Sequence, residues 1–430
     1  MKKRQSPAGL WVPILYFTQG LPYIMVISVS VIMYKQLGIS NAEIGRYTSL
    51  LYLPWVIKPL WSPILELLGN QRKWFLGMQF LMAATFVLMG FLLPGNAFLI
   101  SSLACFWMIS FASATNDIAT DGFYILALSE KQQSFFVGIR STFYRLAVIT
   151  GQGLLVVLAG YLEEQMAPQK AWSFTMTATG LLLLALTSAN ALLSPKLKTQ
   201  KEEQEKAPKK EANLKEFFKV FAEFFKKPQI GVALAFVLTY RLGESQLVKM
   251  TSPFLLDSNE MGGLGYGAKE VGFIYGTLGV ILLVVGGLLG GWVISRDGLG
   301  KWMLPMILSL NLPNAGYALL AFMGWDSYTL VSAVVMIEQF GYGFSFAGFL
   351  MYLIYLAKGP YSTSHYALAT GIMALGMMIP GMISGDLQEW LGYTNFFLWV
   401  LVSGVPALLL LPKLDFPADF GKKSLEEGQS

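Results

Sequence analysis

Long apolar runs, each parted from the next by a short polar or glycine- and proline-bearing break, recur from one end of the chain to the other. Crossing ~30 Å of hydrocarbon takes roughly 20 helical residues. Runs of that length lie at about 10–35, 42–66, 73–94, 97–128, 134–162 and 171–194, and again at about 228–255, 268–295, 302–324, 328–357, 364–388 and 392–411. The pattern predicts an all-α membrane protein of about twelve transmembrane helices, spans 1 to 12. Met1 to Gln5 and the run after them resemble a signal peptide, but the run continues to about Tyr34, too long for a signal core, and so forms span 1.

A polar stretch divides the spans six and six. Pro195 to Ala212 is rich in lysine and glutamate and has no aromatic residue, a composition that cannot bury a core. Leu214, Phe217, Phe218, Phe221, Phe224 and Phe225 then form an apolar stripe at helical spacing, flanked by lysines. That stripe predicts a helix lying on the inner membrane face, with docking on a partner as the alternative. The expected organisation is an N-terminal six-helix half at 1–194, a cytoplasmic linker with an amphipathic helix at 195–227, a C-terminal six-helix half at 228–412 and a cytoplasmic tail at 413–430. The halves repeat weakly: Glu43-Ile44-Gly45 opens span 2 and Glu270-Val271-Gly272 opens span 8, and about thirty residues later come Lys73-Trp74 and Lys301-Trp302. Two parallel six-span halves, with a solute held between them near the midplane, are the arrangement of the major facilitator fold.

Composition agrees with lipid as the solvent. Only 13% of residues are charged and 54% are hydrophobic, against about 25% charged in a soluble globule. The net charge of +5 would fit nucleic acid only if the basic residues gathered on one folded face. They lie between apolar runs instead, so no nucleic-acid partner is expected. The single cysteine, Cys105, can form neither an intramolecular disulfide nor a metal site by itself; no metal and no cofactor are expected. With the N-terminus inside, the cytoplasmic segments hold twenty-two lysines and arginines and the outer loops three. This bias places both termini in the cytoplasm of a bacterial inner membrane.

Six basic side chains remain inside spans: Arg46, Lys58, Arg140, Arg145, Arg241 and Lys249. The acidic ones that matter are Asp117, Asp121, Glu244 and Glu338. A charge at the bilayer centre costs at least ~2.5 kcal/mol, so each is a functional candidate, with a structural ion pair as the alternative. Asp117 and Asp121 share one face of span 4. Span 5 returns antiparallel, which sets Arg140 level with Asp121 and Arg145 level with Asp117. Two such pairs in one hairpin predict a network that exchanges partners, and a carboxylate that loses its base in a dry site takes up a proton. On span 7, Arg241 and Glu244 are placed to neutralise each other. Glu338 has no charged neighbour within span 10 and sits roughly 16 Å along it at ~1.5 Å per residue, as a proton carrier or a hydroxyl acceptor would. Lys58 lies beside Pro54, Pro59 and Pro63, which kink span 2, and Arg46 is expected to snorkel to the outer surface. Six bases against four acids predict a positive interior that attracts carboxylate-bearing solutes. Gly286-Gly287 and Gly290-Gly291 form a small-residue repeat suited to helix packing.

Short tags along almost the whole chain carry a family resemblance. They are Gly20-Leu21-Pro22, Ile44-Gly45, Lys58-Pro59-Leu60-Trp61-Ser62-Pro63 with Glu66, Asn116-Asp117-Ile118-Ala119-Thr120-Asp121-Gly122 and Tyr144-Arg145. In the second half come Tyr240-Arg241-Leu242-Gly243-Glu244, Glu270-Val271-Gly272, Asn314-Ala315-Gly316-Tyr317, Glu338, Tyr366-Ala367-Leu368 and Gly392-Tyr393. Each is short, but their order resembles the AmpG-type muropeptide permeases of the major facilitator superfamily. The resemblance implies proton-driven import of peptidoglycan fragments, an N-acetylglucosaminyl-anhydro-N-acetylmuramyl unit with or without its peptide, for cell-wall recycling. It implies that the span 4 aspartates matter, and that Glu66 and Arg72 in the first half and Arg296 and Asp297 in the second serve gating. The chain departs from the family at Glu66, where aspartate is usual, in a thinned inner loop at Gly69-Asn70-Gln71-Arg72-Lys73, and at Gly122-Phe123, where Ala-Tyr is usual. Related permeases are similar to acetyl-coenzyme A transporters, so that anion, or a sugar acid, is the alternative cargo. A monomer is the expected state.

Two other classes compete. A membrane-embedded acyltransferase would need a buried catalytic base, and the one histidine, His365, falls at the cytoplasmic end of span 11. A passive channel suits paired buried charges less well than alternating access does.

Overall fold

The computed structural model describes residues 8–62, 65, 70–196, 222–359 and 361–422. Helices occupy almost all of them, and the described residues contain no strand. Nine helices among the described residues are long and apolar enough to cross a membrane. One of these, Ser364–Lys413, holds two crossings, because Gly392 (φ 70°, ψ 165°) leaves helical geometry within it. A side chain would strain that backbone. The two remaining crossings, spans 2 and 7, are interrupted and charged. Span 2 consists of Asn41–Leu50, Leu53–Ile57 and a 3-10 turn at Lys58–Leu60, and span 7 of Ile230–Tyr240 and Leu242–Leu256, parted at Arg241. The total is the expected twelve.

Span 1 is Ala8–Gln36, span 3 Gln71–Leu92, span 4 Phe98–Ala127, span 6 Pro168–Leu193, span 8 Ala268–Asp297 and span 10 Tyr328–Ala357. Span 5 begins at Glu130 and ends at Glu163. Span 9 breaks between Leu299–Asn311 and Asn314–Met323 around Pro313, which has no N–H to continue the helix. Widened π-helical turns interrupt spans 1, 5 and 8 at Met25–Val29, Ile149–Leu155 and Gly272–Gly279. Such turns recur at functional sites because they redirect the side chains that follow.

The chain forms two compact units: Met1–Leu37, Ile57–Ala212 and Ala268–Gly272 in the first, and Gly38–Val56, Asn213–Gly267 and Phe273–Ser430 in the second. In the first, Trp11, Val12, Leu15 and Tyr16 of span 1 pack on Phe75, Phe123 and Tyr124. The opening turn of span 8 lies on span 5, where Lys269 pairs with Glu164 at 3.2 Å. In the second unit the Asn41–Leu50 part of span 2 crosses span 11 at glycines. A Cβ on Gly385 would come 1.8 Å from the Asn41 carbonyl oxygen, so glycine there lets these backbones approach. Large apolar side chains face outward, Trp390 at 80% exposure and Phe91 at 75%, as lipid-facing surfaces do.

The expected surface helix lies outside the described residues except for its end. There Phe224 is fully buried in the core of the second unit, its ring 5.3 Å from that of His365. Lys227 follows, bonding the carbonyls of Leu356 and Lys358 at 2.5 and 2.8 Å. It thereby satisfies acceptors that the end of span 10 leaves open, and its burial holds the ammonium below the usual lysine pKa.

Candidate functional site

Span 4 presents Asp117 and Asp121 one turn apart, and residues from three other spans of the same unit close on them. Asp121 accepts from Tyr16 Oη at 2.8 Å and is 3.5 Å from the Arg140 guanidinium, the pairing the hairpin predicts. The guanidinium also lies over the rings of Tyr16 and Tyr124, at 4.6 and 5.1 Å from their centroids, so aromatic faces fix it where water alone would not. Asp117 accepts from Gln19 Nε2 and from Lys58 Nζ at 2.5 Å. Lys58 is thus a base bonded to Asp117 that the hairpin geometry did not foresee. The reason is local. The helix of span 2 tightens into a 3-10 turn at Lys58–Leu60 that contains Pro59, and Lys58 reaches span 4 from it. Arg145 is half-buried on span 5, and its charge and that of Asp117 both act on Tyr144.

These side chains are partly open. Lys58 and Asp117 are 29% and 23% exposed, Arg140 and Asp121 34% and 43%.

The second unit holds its acids differently. Glu338 is 1% exposed and accepts from Tyr317 Oη at 3.1 Å and from Gln339 Nε2 at 3.0 Å. Glu244 has no exposed surface, and neither of its oxygens receives a hydrogen bond from the described residues. The expected direct neutralisation by Arg241 does not occur through a hydrogen bond. The helix break at Arg241 turns its guanidinium to Tyr342 Oη, 2.5 Å away, and over the rings of Tyr342 and Phe346. Its charge still acts on Glu244 through space. Lys249, 1% exposed, bonds Thr48 Oγ1 at 2.9 Å and lies over Tyr52.

Arg46 does not snorkel by itself. It makes a two-pronged pair with Asp386 on span 11, an acid that the count of buried charges passed over, so the positive surplus inside the spans is smaller than expected. Nearby, Asn41 Nδ2 reaches Asp257 (3.3 Å), Gln388 (2.5 Å) and Tyr393 (2.9 Å), and Tyr393 donates to Asp257 at 2.6 Å. Of the positions expected to serve gating, Glu66 lies outside the described residues. Arg72 bonds the Ala191 and Ser194 carbonyls and Ser194 Oγ, closing the end of span 6. Arg296 pairs with Asp297 at 2.8 Å, and Trp302 Nε1 also donates to Asp297. His365 is buried between Phe224 and Tyr361.

Gln19 and Tyr16, the direct partners of the aspartates, were legible in part. They are polar groups three residues apart in an apolar run and therefore share a helix face. Among the described residues no three His, Cys, Asp or Glu side chains group as metal ligands would.

Twelve crossings that face lipid with apolar side chains and hold polar and charged groups inside define a multi-pass membrane protein of the transporter kind. The family model of the Major Facilitator Superfamily matches residues 14–385, and the chain belongs to that superfamily. It is 28% identical over 415 residues to the anhydromuropeptide permease of Escherichia coli (strain K12), an alignment covering 95% of this chain and 79% of that one. Among solved structures it is similar to the nucleoside transporter NupG, with a TM-score of 0.69 at 17% identity over 94% of this chain and 97% of that one. A D-xylose-proton symporter gives a TM-score of 0.71 at 10% identity, over 96% and 98%. At such identities the two structures speak for the fold alone.

Proposed function

We propose that this protein imports anhydro-muropeptides from the periplasm to the cytoplasm in symport with protons. The observation that carries the reading is the span 4 site, two carboxylates a turn apart, each bonded to its own base and to a neutral donor from span 1. Such a site can take a proton on either acid when its base moves away. Asp117 and Asp121 are the coupling acids, and Asp117 exchanges between Lys58 and Arg145 during the cycle. Glu338 is a further coupling acid. Arg140, Arg145, Lys58, Arg241 and Glu244 make up the network that meets the solute, a carboxylate-bearing saccharide or muropeptide. Similarity to the E. coli permease supports the cargo, since that relative is named for anhydromuropeptides.

Residues 1–194 and 228–412 act as the two six-span halves of a monomer, with 195–227 and 413–430 in the cytoplasm. Glu66 and Arg72, and Arg296 with Asp297, serve the inner gate. The protein moves its solute without altering it, which separates this reading from an acyltransferase.

Competition decides the cargo. Unlabelled anhydro-disaccharide, its peptide-bearing form and acetyl-coenzyme A are set against a labelled anhydro-muropeptide in proteoliposomes of the full chain. The first two should displace the label and the third should not. Displacement by acetyl-coenzyme A alone would transfer the assignment to that anion.

A further inference from the structure

Where span 7 begins and span 10 ends, the second unit holds a cavity of about 430 Å³ for which the transport reading has no use. Small-ligand sites run from ~300 to ~1,000 Å³. Three segments line it: the residues entering span 7, with Lys227 and Gln229, the end of span 10, with Tyr352, Tyr355 and Lys358, and the tail after span 12, with Asp415.

Hydrogen-bond donors come from each side of span 7 and span 10. Tyr352 is 3% exposed and its ring packs edge-on against Phe236 and Phe416, yet its hydroxyl bonds nothing among the described residues. An ammonium has three N–H donors; Lys227 gives two of them to the carbonyls of Leu356 and Lys358 and keeps one. Lys358 is exposed, and its ammonium lies over the rings of Phe420 and Tyr355, 4.2 and 5.7 Å from their centroids, which holds it at the cavity wall. The helix Ile230–Tyr240 starts at Gln229 and turns the positive end of its dipole to the same place. Asp415 is the one acid among the lining residues, so the two lysines leave a surplus of positive charge.

A phosphate group, with several acceptor oxygens and a negative charge, matches donors arriving from several directions. The surroundings indicate its source. Ile354, next to Tyr355, is 44% exposed, and Leu409 of span 12 is 67% exposed, the outward apolar surface that meets lipid. Span 10 ends at Ala357 and span 12 at Lys413, so the cavity lies at the depth of lipid headgroups. Basic pockets between transmembrane helices at that boundary take anionic headgroups. We propose that the cavity bounded by Lys227, Tyr352 and Lys358 seats the phosphate of an anionic phospholipid headgroup. The inference goes beyond transport and uses the orientation proposed above only to assign the leaflet, which is then the cytoplasmic one.

The test is native mass spectrometry of the full-length protein released from bilayers that hold phosphatidylglycerol and phosphatidylcholine in equal amounts. Phosphatidylglycerol should stay bound in preference to phosphatidylcholine. Tyr352→Phe, which keeps the ring, should lower its retention about fivefold, and Lys358→Gln about tenfold. Lys170→Gln removes the same charge at the start of span 6 and should leave retention unchanged. No preference between the two lipids would overturn the proposal, and so would equal losses in Lys358→Gln and Lys170→Gln, which would show only the general attraction of a positive surface. If Tyr352→Phe fails to fold, Gln229→Glu decides: the position is exposed, a carboxylate there repels the phosphate, and full retention in that variant would overturn the proposal. Release of the lipid by inorganic phosphate at the lipid's own concentration would assign the cavity to a soluble anion, and release by anhydro-muropeptide would place it on the path of the solute; either result overturns the proposal. No transport is measured, so a protein that keeps the lipid but does not carry muropeptides would refute the transport reading alone. Muropeptide uptake without selective lipid retention would refute this inference alone.

Discussion

Removing the ammonium of Lys58 tests whether the span 4 site is an interacting network or a set of neighbours. The Lys58–Asp117 contact is a charge-assisted bond of 2.5 Å between side chains 29% and 23% exposed. Fully exposed ion pairs contribute about 0–1 kcal/mol, and breaking a buried one costs about 3–5 kcal/mol. With a quarter of each group reaching water, and with Gln19 still bonded to Asp117, the coupling should be about 1–2 kcal/mol. Unfolding of wild type, Lys58→Met, Asp117→Asn and the double variant in detergent micelles measures it. The double variant should be more stable than the sum of the two losses predicts, by that amount, because Lys58→Met leaves a carboxylate without its base and Asp117→Asn removes the problem. Losses that add to within about 0.5 kcal/mol would show that the pair carries no interaction and refute the reasoning.

Three further outcomes follow from contacts elsewhere. Gly290→Ala should destabilise by about 1–3 kcal/mol, because its Cβ would lie 2.6 Å from the Phe344 carbonyl, whereas Gly291→Ala, with nothing within 4 Å, should be neutral or slightly stabilising; equal thermal shifts in the two would contradict the packing of span 8 on span 10. Tyr16→Phe should cost about 1 kcal/mol by removing the bond to Asp121, and Tyr16→Leu about 0.5–1 kcal/mol more because the ring under Arg140 also goes; unfolding midpoints compare them. Asn41→Ala leaves Asp257 and Gln388 short of a donor in a buried cluster and should lower stability by about 1–3 kcal/mol, which the same unfolding measurement checks.

The spans were legible because lipid imposes length and composition on every crossing, and the ends that fall among the described residues lie close to the expected ones. Interruptions were less so. Proline marked the bend near Lys58, but nothing in the chain around Arg241 distinguishes a break from a helical turn. The three π-helical turns carry no signal in the sequence pattern either. Of the site, Asp121 with Arg140 was readable from hairpin geometry alone. Asp117 with Lys58 was not, because it depends on the direction a kinked helix takes. The Asn41–Asp257–Tyr393 cluster joins residues 216 and 352 positions from Asn41, a distance over which periodicity carries no information. Gly290 and Gly291 show the same limit: the repeat announced close packing, and only the fold says which glycine of each pair faces the neighbour.

The central claim is that a proton gradient drives solute inward through the span 4 acids. The direct measurement is accumulation of labelled anhydro-muropeptide in proteoliposomes, with and without an inward proton gradient, for wild type, Asp117→Asn and Asp121→Asn. Accumulation above the outside concentration is expected only in wild type and only with the gradient. Undiminished gradient-driven accumulation in both variants, or equal accumulation in wild type without a gradient, would contradict it.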